Sequence, residues 1–129
     1  MDPTLDCEQG HAVLLADAAN PLEIVVCGDF VYFTDSYDKV SNDDHVRRIP
    51  LAGGPPQALV WGAGRGLAID ATHVYVGAAD GRLVRVPKTG GAALALARTD
   101  LYASDIAVDD HHVYRVVRSK DGLLVRTPK

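Results

Sequence analysis

The stretch VYFTDSYD, Val31 to Asp38, decides the fold, because shorter echoes of it return as VYVGAAD from Val74 and VYRVVRS from Val113. Aligning Tyr32, Tyr75 and Tyr114 gives spacings of 43 and 39 residues. Upstream the copies align without a gap as EIVVCGDFVY, LAIDATHVY and IAVDDHHVY. Downstream each runs to an Arg, one further residue and a Pro, at Pro50, Pro87 and Pro128. Only the segment between varies in length. Tyrosine to proline is 18, 12 and 14 residues, and the differences fall in SYDKVSNDD, AADG and SKDG, which are rich in turn formers.

A repeat near 40 residues, made of four short strands separated by turns, has the period of a β-propeller blade. The apolar runs are too short for helices and rich in β-branched and aromatic residues, the pattern of strands covered on both faces. Strands are expected at 22–27, 30–35, 45–49 and 56–61 in the first unit, and at 66–70, 73–77, 82–86 and 92–97 in the second. Setting Gly10 on Gly54 and Gly91 lays GHAVLLA over GPPQALV and GAALALA, so residues 11–16 read as an outer strand. The expected order is that strand, complete blades over 22–61 and 66–97, and three strands of a further blade over 105–127.

The whole chain, 1–129, therefore reads as one all-β unit, a half-propeller of about three blades of four antiparallel strands. Three blades leave an apolar sheet face open at each end. A homodimer closing a six-bladed ring is expected to cover both, with the N-terminal strand of one copy completing a blade of its partner. The rival is a chain that forms part of a longer propeller, or of a ring with different partner chains.

The repeats resemble the YWTD-type six-bladed propellers of lipoprotein-receptor ectodomains and the related bacterial repeat propellers. Tyr32, Phe33, Thr34 and Asp35 stand where that family has Tyr-Trp-Thr-Asp, with Phe in place of Trp, whereas Tyr75 and Tyr114 keep only the tyrosine. The resemblance covers the chain from Gly10 onward and implies the propeller architecture. It assigns no activity.

Charge narrows the partners. Thirteen Lys and Arg against 17 Asp and Glu, a formal net charge of -4, lack the basic excess that a phosphate backbone requires, so no nucleic acid is expected. No apolar run approaches the roughly 20 residues that span a bilayer, and no membrane partner is expected. The start, MDPTLDCEQG, has neither the basic residues nor the apolar core of a signal peptide. The chain reads as soluble, and as exported only if a signal peptide has been removed from it.

Recurrence guides the reading of the polar residues. Arg48, Arg85 and Arg126 hold one position per unit and are expected to pair with Asp between blades. Asp70 and Asp109 end inner strands, where Asp caps turns, and the third equivalent is Cys27. His73 and His112 share their position with Phe30, which accepts an aromatic body. No nucleophile-elbow, phosphate-loop or zinc-hydrolase motif occurs.

The expected function is a non-catalytic binding or interaction scaffold with no cofactor. Its protein, peptide or glycan ligand is held on the ring face by the long loop through Tyr37, Asp38, Asp43, Asp44 and His45. The alternative is a metal-dependent hydrolase or lyase with a divalent ion in the central channel on Asp70, Asp109 and His112. Propeller hydrolases of the gluconolactonase type hold such an ion with Glu, Asn and Asp, and this chain offers Glu23 and aspartates near its inner strands. Cys7 and Cys27 fall in turns on one face of the expected ring, where they either pair in an oxidising compartment or stand as separate thiols with Cys27 partly buried.

Overall fold

A computed structural model describes residues 23–36, 44–78, 81–98, 103–117 and 122–129. Every element in them is a strand: β1 (Glu23–Cys27), β2 (Phe30–Ser36), β3 (Asp44–Pro50), β4 (Gln57–Ile69), β5 (His73–Ala78), β6 (Arg82–Pro87), β7 (Leu94–Arg98), β8 (Ala103–Val108), β9 (His112–Val117) and β10 (Leu123–Pro128). Among the described residues no helix is long and apolar enough to cross a membrane.

All neighbours pair antiparallel in sequence order, β1 through β7 in one sheet and β8, β9 and β10 in another. Within the described residues the strands lie where the repeat places them, with one difference, and the expected strand at 11–16 lies outside those residues. The two strands expected at 56–61 and 66–70 are a single 13-residue strand, β4. Its first half pairs with β3, its second half with β5, and Ala63 pairs with both Asp44 and Ala78. Gly62 and Gly66 take φ of 75° and 96°, a left-handed backbone open to glycine, and the register shifts between Ala63 and Leu67. The glycines of WGAGRG thus let one strand turn from the first four-stranded unit into the second without leaving the sheet.

Three units result: β1 to the first half of β4, the second half of β4 to β7, and β8 to β10. Alternating side chains give each two apolar faces, and the faces stack. Tyr32 and Val46 of the first unit share a buried cluster with Leu67, Val74, Val76, Val84 and Val86 of the second. Tyr75 and Leu83 of the second share another with Ile106 and Val113 of the third. On the far side of the first unit Val31, Phe33 and Ile49 form a third buried cluster.

The packing between units two and three is close enough to dictate sequence. A Cβ added to Gly66 would lie 2.6 Å from Cγ1 of Ile106. Arg115 breaks the apolar pattern: it is buried at the place held by Phe33 and Val76 in the other units, and among the described residues its Nε has no hydrogen-bond partner.

Candidate functional site

Up-and-down pairing sends the β1–β2 and β3–β4 turns to one end of each unit, and the β2–β3 connection with the bend of β4 to the other. Polar side chains gather at both ends, in different ways.

At the second end, β2, β3 and β4 bring Asp35, His45 and Trp61 side by side, since Asp35 pairs with His45 and His45 with Trp61. Asp35 is almost fully buried, and its carboxylate accepts from Arg47 through NH2 at 2.6 Å and Nε at 3.3 Å. His45 Nε2 lies 3.2 Å from Asp35 Oδ1. The Arg47 guanidinium also sits 5.0 Å from the Phe33 ring centroid. A forked guanidinium on a carboxylate fixes both groups in direction, and the histidine beside them has little freedom left.

That histidine supports the surface instead of reaching it. The Trp61 ring stacks on the His45 ring, with centroids 4.7 Å apart and planes 19° from parallel, while Trp61 itself is 60% exposed. The arrangement is a rigid aromatic plate on a buried polar base. It stands where β2 and β3 enter and leave the segment 37–43. Asp44 begins β3 opposite Ser36, whereas Tyr37, Asp38 and Asp43 lie outside the described residues.

At the first end the turns that follow β4 and β8 are capped. Asp70 Oδ1 accepts from the backbone N–H of Thr72 and His73 at 2.9 and 2.7 Å, and Oδ2 accepts from the Tyr75 hydroxyl at 2.7 Å. Asp109 repeats the pattern with His111 N, His112 N and the Tyr114 hydroxyl at 2.9, 2.7 and 2.7 Å. These are Asx turns extended by a tyrosine. His112 Nδ1 stands 4.0 Å from Asp109 Oδ1. Asp70 and Asp109 sit in separate units, and among the described residues no three His, Cys, Asp or Glu side chains come together as a metal site.

Electrostatics follow these bonds. Burial raises the Asp70 carboxyl, but hydrogen bonds from Lys129, Tyr75 and the turn amides outweigh it and hold it well below the carboxylate range. Burial, then the bond to Asp70, pushes the Tyr75 phenol up to about 12. The Tyr114 hydroxyl, then the amides of His111 and His112, lower Asp109, and the bond to Asp109 raises Tyr114 in return.

Two lysines reach across to these turns from the next unit, while Arg126 bonds to the Tyr114 hydroxyl within its own unit. Lys129, which follows Pro128, donates to Asp70 Oδ2 at 2.8 Å and lies 5.5 Å from the Tyr75 ring centroid. Lys88, which follows Pro87, donates to the Cys27 thiol at 2.9 Å. Cys27 carries a free thiol, and Cys7 lies outside the described residues. Each lysine clasps the preceding unit. Arg48, expected to pair with Asp between units, instead donates to Gln57 Oε1 within its own unit and covers the Phe30 ring at 4.0 Å. The lysine signal was present in the sequence as Pro-Lys at 87–88 and 128–129, against Pro-Leu at 50–51.

No family model matches the chain, and no curated protein matches it.

Proposed function

We propose that this protein is a non-catalytic binding scaffold whose three stacked units are propeller blades, with a peptide or glycan taken at the Trp61 end. The single observation behind the binding reading is the plate itself: an exposed tryptophan braced from beneath by His45, Asp35 and Arg47. Burying a carboxylate and an imidazole, and half-burying a guanidinium, carries a desolvation cost that a merely solvated surface tryptophan does not require. Binding surfaces, by contrast, need aromatic anchors held in place before the ligand arrives. The turns at the opposite end support no channel chemistry in this reading, because Asp70 and Asp109 spend their lone pairs on caps and tyrosines.

The finer architecture belongs to the same proposal. Strands in sequence order and stacked four-stranded units support a propeller of the kind that the YWTD resemblance implies. Two copies supply the six units of a ring, with segment 11–16 of one copy as the fourth strand beside β10 of the other. The expected protein or glycan ligand then meets the face on which Trp61 stands.

The test is binding to peptide and glycan arrays by the wild-type protein, Trp61→Ala and Trp61→Phe. Capture should weaken by about tenfold or more with alanine and be largely kept by phenylalanine. Because Trp61 is exposed, its removal should leave the melting temperature nearly unchanged. Equal capture by all three proteins, or no ligand on any array, would sink the reading.

A further inference from the structure

Equivalent positions in the three units have very different surroundings. Val46, Leu83 and Leu124 occupy one place in the repeat, two residues before the recurring arginine, and are 0%, 0% and 77% exposed. The first is buried against unit two and the second against unit three. Among the described residues no unit packs on Leu124. Around it on the same face stand Val116, which is exposed, and Tyr114 with its Asp109 cap.

The other end of the chain shows the reverse. Ile24, Leu67 and Ile106 are equivalent, and they are 70%, 5% and 7% exposed. Leu67 packs back on the first unit and Ile106 on the second, against Gly66. Among the described residues no unit packs on Ile24, and Val26 beside it is exposed as well, whereas Val31, Phe33 and Ile49 on the same face are buried. Leu124 with Val116 at one end, and Ile24 with Val26 at the other, thus display parts of a contact that the two internal junctions already make.

We infer that the third unit's Tyr114–Val116–Leu124 face is an interaction surface for the first unit of a second copy, with Ile24 and Val26 against it and Leu51 over the Asp109–Tyr114 pair. This junction rests on the ring reading above and specifies its register. In both internal junctions the residue after the Arg-x-Pro proline reaches back to the preceding turn, Lys88 to Cys27 and Lys129 to Asp70. At the junction between copies the same place is Leu51, which is 38% exposed. The Asp109 carboxylate there is organised like Asp70 but receives no lysine among the described residues, so the two contacts between copies are the unclasped joints of the ring.

The experiment is sedimentation velocity over a dilution series. The wild-type protein should sediment at about twice the 13.8 kDa chain mass at high concentration. Ile24→Asp and Leu124→Asp should each return it to one chain mass, and at dilutions where the wild type is also a single chain the melting curves should coincide, since both side chains are exposed in one copy. Leu51→Lys should tighten association by about 3- to 10-fold, and adding Asp109→Asn should cancel the gain. That variant strengthens the contact, so misfolding cannot imitate its effect. A single-chain mass at every concentration overturns both the ring of two copies and this junction. Association that survives both aspartates leaves self-association standing and overturns the junction. Association that responds to the aspartates but not to Leu51→Lys, or that gains equally without Asp109, overturns the register.

Discussion

Asp70 shows how one side chain serves three scales of contact: its own turn, a tyrosine in the next strand and a lysine from the next unit. Asn in its place keeps one oxygen for the turn amides and removes the charge that Lys129 meets. The cost at neutral pH is expected to be about 1–3 kcal/mol. The pH dependence follows from the direction of each shift. The Asp70 carboxyl is held below its unfolded value, so its contribution is complete above about pH 4 and is lost as pH falls toward the folded value. Tyr75 is raised, so its contribution is complete below about pH 10 and is lost as pH climbs toward 12. Thermal melts between about pH 2 and pH 7 should therefore converge for wild type and Asp70→Asn at the acid end. Parallel curves would refute the assignment of that stability to the carboxylate. The turn caps were legible from aspartate at a strand end. Their lysines were not singled out, because a lysine after a proline is unremarkable until the neighbouring unit is in place.

Among the elements, β4 departs most from its sequence reading. WGAGRG carries the glycines of a connection, and nothing in its composition separates a loop from a strand that bends while still paired. Pairing wins because Ala63 finds partners on both sides. Gly66 has two constraints, a φ of 96° and an Ile106 side chain in the space where a Cβ would go. Gly66→Ala should cost about 2–4 kcal/mol by combining backbone strain with overpacking. Pairing it with Ile106→Val should recover part of the loss in chemical denaturation, whereas additive costs would show that the two residues do not compete for space. The plate at the other end of this strand was half visible. His45 was legible as a candidate beside the long loop, yet its burial depends on Trp61 lying opposite it across β3 and β4, and that register is set by bulges that no local pattern records.

At the scale of the whole molecule, the repeat carried most of the architecture. Tyrosine spacing and the Arg-x-Pro ends placed the strands to within a few residues, because a side-chain period of two and fixed turn positions leave little choice once one unit is aligned. Arg115 resisted such reading, as a charged residue in a place that is apolar in its equivalents, Phe33 and Val76.

The shared strand also bears on how the molecule comes apart. Units one and two have a continuous backbone ladder through β4, so neither can open without breaking hydrogen bonds that belong to the other. Unit three meets them through side chains, chiefly Ile106, Val113 and Lys129. Cooperative unfolding should therefore divide at that seam, with β1 to β7 behaving as one foldon and β8 to β10 as another of lower opening free energy. In native-state hydrogen exchange the amides of β9 should exchange before those of β5, although the two strands occupy the same place in the repeat. Matching protection in β5 and β9 would mean that side-chain packing couples neighbouring units as firmly as a common strand does.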